Sequence, residues 1–156
     1  MYKYLFFALG AMTLLVACKK GMTLQSTDLN KYGLPFGIMA PKDATVTATN
    51  LGGAMDDVTI AKDRFDVQII GGTTTAADVK TLKAEKIAEL KTSSPSFKIS
   101  KEDEDGFVYE MQIDTTVYNF FYAKIIGDKQ FVFQTGFTAT ATQAEVAEMY
   151  DAVRSK

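Results

Sequence analysis

The chain has no histidine and a single cysteine, Cys18. Without an imidazole to take and return a proton, Ser-His-Asp and Cys-His nucleophilic machinery is excluded. Zinc sites of the usual Cys/His type lack their ligands as well. One cysteine forms no internal disulfide, so an ordinary hydrophobic core has to stabilise the fold. No serine-x-x-lysine occurs, and the nearest substitute, Thr59-Ile60-Ala61-Lys62, falls in a predicted strand. Neither Gly52-Gly53 nor Gly71-Gly72 belongs to a phosphate-loop or dinucleotide fingerprint, and both pairs read as turn residues. Charge is nearly balanced, with 19 acidic and 17 basic side chains. No basic block or aromatic-interleaved basic patch follows Lys20, which disfavours a nucleic-acid partner.

A long apolar run is missing too. The uncharged stretch from Leu5 to Val16 is 12 residues long, and a bilayer span needs about 20. It fits the apolar core of a signal peptide: Lys3 precedes it, the small residue Ala17 follows, and Lys19-Lys20 end it. The stretch Leu15-Val16-Ala17-Cys18 resembles the lipobox of bacterial lipoprotein precursors. That resemblance implies a signal peptide over 1–17 and diacylglyceryl transfer to the Cys18 thiol. Cleavage before Cys18, and often acylation of the new amine, would follow. The implied partner is membrane lipid, held through the acylated cysteine. Two or more acyl chains give stable anchoring, at about 0.8 kcal/mol per buried methylene. Lys19 stands where an inner-membrane retention signal would have aspartate, so the implied address is the outer membrane, facing the periplasm.

Residues 18–33 are polar and lack clear periodicity, which reads as a lipidated tether. The turn signals Gly33 to Phe36 and Pro41 then open one folded domain over 34–156. Ala44 to Thr49 is rich in β-branched residues. Val58 to Ala61 and Phe65 to Ile70 flank Lys62-Asp63-Arg64 as a predicted hairpin. Phe65, Val67 and Ile69 alternate with Asp66 and Gln68, predicting one buried and one wet face. Phe107, Tyr109, Met111 and Ile113 repeat that period. Gly127-Asp128 marks a tight hairpin. Between them, Val117 to Ile126 is apolar at both odd and even positions, as expected of a central strand covered on both sides.

Two helices are predicted. The first spans 76–91, with Val79, Leu82, Lys83, Ile87 and Leu90 on one face, Thr75 and Asp78 at capping-box spacing, and Pro95 barring continuation. The second spans 143–154, capped by Thr142 and Glu145, with Val146, Met149, Tyr150 and Val153 facing the core. The expected fold is α+β: an antiparallel β-sheet with helices packed on both faces, an α/β/α sandwich, with a cystatin-like or other helix-on-sheet arrangement as the alternative. The opening Leu34-Pro35-Phe36-Gly37-Ile38-Met39-Ala40-Pro41, the helix before Pro95, the strands from Phe107 to Phe137 and the terminal helix together resemble the PsbP-like fold. Many small bacterial lipoproteins have that fold, and the resemblance implies an accessory role beside larger assemblies.

Few residues suggest chemistry. In the acidic run Glu102-Asp103-Glu104-Asp105-Gly106, Asp103, Asp105 and Gly106 align with the third, fifth and sixth positions of a calcium loop, but Lys101 and Gln112 occupy its first and twelfth positions, where carboxylates are needed. The run reads as a solvated turn, with weak cation binding as the alternative, and no metal site is assigned. Asp56, Asp57, Asp66, Glu110 and Asp114 satisfy a two-carboxylate hydrolase only in composition. Tyr109, Tyr118, Phe120, Phe121, Tyr122, Phe131, Phe133 and Phe137 could line a pocket, but core filling is the simpler expectation. No catalytic residue and no cofactor is expected, and the assigned site is lipidation at Cys18. The expected function is a non-enzymatic binding or accessory module contacting another envelope protein, with a small-molecule carrier or a carboxylate-dependent hydrolase as alternatives.

Overall fold

The computed structural model describes residues 21–52, 55–137 and 140–155. Cys18 and the apolar run before it lie outside the described residues. The described residues open with the polar strand β1 (Leu24–Asp28), followed by β2 (Gly37–Pro41), β3 (Thr45–Leu51), β4 (Met55–Lys62) and β5 (Phe65–Thr73). Helix α1 (Val79–Ser93) follows, then β6 (Lys98–Glu102), β7 (Gly106–Gln112), β8 (Thr116–Ile126), β9 (Lys129–Thr135) and α2 (Gln143–Arg154). The fold is α+β, with a seven-stranded antiparallel sheet in the order β3-β4-β5-β9-β8-β7-β6 and a separate β1–β2 ribbon.

β8 is interior in that sheet, as its two apolar faces require. Its consecutive residues Phe120, Phe121, Tyr122 and Ala123 are all buried. Phe120 and Tyr122 join the larger hydrophobic cluster, with Val58, Ile60, Val67, Ile69, Phe133 and α2 residues Val146, Met149, Tyr150 and Val153. Phe121 and Ala123 join a smaller one with Phe107, Tyr109 and Leu90, against which Val79, Leu82 and Ile87 of α1 are half-buried. The second helix keeps its expected bounds, and its capping box is complete: Thr142 Oγ1 accepts from the Glu145 N–H, and the Glu145 carboxylate accepts from the Thr142 N–H at 2.8 Å.

Several expectations are corrected. The segment expected as a tether is folded from Leu24, because β1 pairs along its whole length with β2 and Leu29 is fully buried. The first helix starts at Val79 rather than Ala76. Asp78 is itself the N-cap, accepting from the Thr81 N–H at 2.8 Å, so Thr75 is not part of a cap. Gly71-Gly72 lies inside β5 rather than in a turn. A Cβ on Gly71 would press on the Phe131 ring at 3.1 Å, so the missing side chain makes room for an aromatic one. Gly52, in contrast, is a turn residue with φ +66°, and Gly53 lies outside the described residues. Ile113 falls beyond the end of β7 and is exposed.

The face of β5 expected to be wet is dry. Asp66 and Gln68 are only 5% and 6% exposed. Gln68 Nε2 donates to the Asp57 carboxylate at 2.9 Å, and its Oε1 accepts from Gln134 Nε2 at 2.9 Å. This ladder across β4, β5 and β9 satisfies the polar atoms of Gln68 as it covers them, so alternation of polarity gives no sign of the burial.

Two buried tyrosines make the fold pH-sensitive at the alkaline end. Burial, with the nearby charge of Glu89, pushes the Tyr109 hydroxyl up to about 12. Burial, with Asp105 adding and Arg154 opposing, pushes Tyr122 up to about 12. In the unfolded chain both ionise near 10.0. Their contribution is therefore intact below that pH and is lost as pH rises through the folded values. Urea denaturation across this range should show stability falling. Tyr109→Phe and Tyr122→Phe should each flatten the slope, and an unchanged slope in both variants would refute the assignment.

Candidate functional site

The acidic run between β6 and β7 is a structural tie. Asp103 Oδ2 accepts from the Tyr150 hydroxyl at 3.0 Å and from Arg154 at 2.9 Å, and Asp105 Oδ1 accepts from Arg154 Nε at 3.2 Å. The Arg154 guanidinium also lies over the Tyr150 ring, 5.0 Å from its centroid. Burial, followed by the Asp103 hydrogen bond, raises the Tyr150 hydroxyl well above the ordinary tyrosine range. Lys83 reaches Glu102 at 3.0 Å and the Asp103 carbonyl at 2.7 Å, and Lys80 pairs with Glu104 at 3.1 Å. Glu102 and Glu104 are exposed, as expected of a solvated turn, whereas Asp103 and Asp105 are only partly exposed and are engaged by α2. The run holds α2 and α1 to the sheet, and among the described residues no group of three or more acidic or Cys side chains is arranged to hold a metal ion.

The hydrolase candidates are dispersed. Asp56 accepts from Asn50 Nδ2 at 2.6 Å and faces Lys129 at 3.6 Å. Glu110 faces Lys98 at 3.7 Å, and Asp114 is exposed in the β7–β8 turn. Asp57 and Asp66 share a sheet face, but Asp66 pairs with Ala61, four positions along β4 from Asp57. Their backbones are therefore about 13 Å apart at ~3.3 Å per residue. Paired-carboxylate hydrolysis works at roughly 5–9.5 Å.

The aromatic series fills the core. Tyr109, Phe120, Phe121, Tyr122, Phe131 and Phe133 are buried, and Tyr118 is packed at the margin of the larger cluster. Phe107 stacks on Phe121 with centroids 5.4 Å apart, and Phe36 meets Phe131 edge-on at 5.1 Å. Phe137 departs from the series at 90% exposure.

A groove of about 660 Å³ lies beside the β4–β5 turn and the start of α2. Met22, Pro41, Lys42, Lys62, Arg64 and Glu145 are among the side chains that line it. Glu145, already engaged in the capping box, also accepts from Arg64 at 2.9 Å. The Thr142 N–H, foremost, and the adjacent Arg64 hold its carboxyl below the usual range. Lys62 Nζ donates to the Lys42 carbonyl at 2.6 Å. Ionic walls over aliphatic stems suit the binding of a surface or chain segment. Four separated stretches of sequence contribute to this groove, so no local motif announces it. The one legible member is Glu145, and its capping role gives no hint of the bond to Arg64.

The tie between the acidic turn and α2 is testable. Arg154→Met should destabilise the fold by about 1.5–3 kcal/mol, the range for hydrogen bonds to charged groups. Tyr150→Phe should cost less and be non-additive with it, because both engage Asp103. Chemical denaturation of the two single variants and the double variant measures this, and simple additivity would contradict a shared network. No family model, curated protein or solved structure matches the chain.

Proposed function

We propose that the chain is a lipid-anchored, non-enzymatic binding or accessory module of the bacterial cell envelope, held through acylated Cys18. The address follows from the lipobox resemblance and Lys19: the outer membrane, with the domain in the periplasm and another envelope protein as its partner. The observation that carries the reading is how the fold uses its reactive residues. Asp103, Asp105, Asp57 and Asp56 bind neighbouring side chains, and six of the eight candidate aromatics are buried in the core. What such a domain offers to a partner is surface. A PsbP-like α/β/α sandwich is the architecture we favour. Its support is that α2 and α1 contribute to different hydrophobic clusters, which alternate residues of β8 also join.

A small-molecule carrier is the second reading. The groove's volume, about 660 Å³, falls within the range of roughly 300–1,000 Å³ for ligand sites. Its walls are ionic and aliphatic rather than aromatic, which favours an amphipathic occupant.

The anchor is tested by fractionation. In a bacterial host the native chain should incorporate labelled palmitate and partition with membranes. Cys18→Ser should lose the label and appear in the soluble fraction. Retention of label by that variant would refute the assignment to Cys18.

A further inference from the structure

We propose that one end of the domain rests on the bilayer, with Phe137 and Ile113 as its apolar contacts in the interfacial layer. The proposal rests on acylation at Cys18 and adds which surface then meets the lipid. Only Lys19, Lys20 and Gly21 separate Cys18 from Met22. Met22 is already at the fold, its N–H making a long hydrogen bond of 3.5 Å to Glu148. At ~3.3–3.6 Å per residue the link spans at most about 14 Å. The end of the domain carrying Met22 is therefore held against the membrane.

Strand register shows what else is at that end. Leu24 pairs with Pro41, so Met22 leaves the β1–β2 ribbon beside the turn into β3. Thr45 pairs with Ala61, which brings this turn next to the Asp63-Arg64 turn between β4 and β5. Val67, near the start of β5, pairs with Thr135 at the end of β9, and Phe137 follows two residues later. Tyr122 pairs with Phe133, so the start of β8 lies at this same end. Gln112 pairs with Thr116 there, and the Ile113 turn completes the surface. The acidic turn, Gly127-Asp128 and the end of α2 are at the opposite end.

Phe137 and Ile113 are 90% and 68% exposed, more than the other exposed large hydrophobics, Met55 and Ile126, at 44% and 42%. Those two lie at the far end of the sheet, as their pairing with Gly72 and Lys129 shows. Among the described residues, the most water-exposed large apolar side chains thus share the end where the proposed anchor would join the fold. Lys42, Lys62 and Arg64 there are matched by Asp63, Asp114 and Glu145. Apolar insertion rather than charge is what this surface offers a bilayer.

Because Cys18 is the only cysteine, one introduced thiol is a unique labelling position in the acylated protein. The acylated full chain, reconstituted in vesicles of phosphatidylethanolamine and phosphatidylglycerol, would carry a fluorophore at Asp114→Cys or at Asp128→Cys. A lipid with a spin-labelled headgroup should quench the label at 114 several-fold more than the label at 128, and high salt should not abolish the difference. Adding Phe137→Ser and Ile113→Ser to Asp114→Cys should reduce its quenching. Equal quenching at 114 and 128 in a protein of acylated mass would overturn this surface and leave the anchor standing. Quenching at neither position would overturn it in favour of a protein partner. Absence of the acyl mass would overturn the anchor and this proposal together.

Discussion

Four consecutive side chains of β8, Phe120 to Ala123, enter two different hydrophobic clusters, and the rest of the fold is arranged around that constraint. A strand that is apolar on both sides is stable only in the interior of a sheet with both sides kept from water. β9 and β7 flank it through hairpins, and β5 and β6 extend the sheet beyond them. The larger cluster recruits α2, whose buried Tyr150 meets Phe120 at 5.8 Å and Tyr122 at 6.4 Å between ring centroids. With no disulfide available within the described domain, these aromatic contacts and the area they bury supply the main favourable term.

The acidic turn secures the same assembly at one end. A Cβ on Gly106 would collide with the Phe121 carbonyl oxygen and come within 2.9 Å of the Tyr150 ring. The bare backbone lets the turn approach β8 closely, with the Ala123 N–H donating to the Asp105 carbonyl at 3.1 Å. Asp103 and Asp105 then face Arg154 in the last turn of α2, where a cation also complements the helix dipole. A loop that looks in isolation like an incomplete cation site has its cation built in, in the form of a guanidinium.

Most strands and α2 were legible because each depends on local information. The β4–β5 and β8–β9 hairpins announce themselves by short polar turns between apolar runs, and Thr142-x-x-Glu145 fixes where α2 begins. What could not be read depends on long-range pairing. β1 is a polar strand whose pairing with β2 shows in no periodicity of its own. Asp66 and Gln68 look like solvent residues until Asp57 and Gln134 are known to lie beside Gln68. Likewise, Asp103 looks hydrated until Arg154, 51 positions away, is brought to it. The groove at the start of α2 is the extreme case, since its lining comes from four stretches with no common signal.

The early start of the fold alters what the anchor means. A sixteen-residue tether would let the domain sample many orientations and much of the space near the membrane, because the reach of a flexible chain grows with its length. With three residues between Cys18 and Met22, an anchored domain has little such freedom. The β1–β2 ribbon, the groove and the exposed Phe137 would all stay near the headgroups. A partner approaching from the periplasm would then meet the other end first, where the acidic turn, the β8–β9 hairpin and the end of α2 are gathered. Arg154 ties the acidic turn to the end of α2, and Lys83 and Lys80 tie it to α1. A rigid surface held at a fixed height can be recognised with little ordering cost. If Cys18 is acylated as proposed, the short link would do more than retain the domain, because it would also select which face is presented.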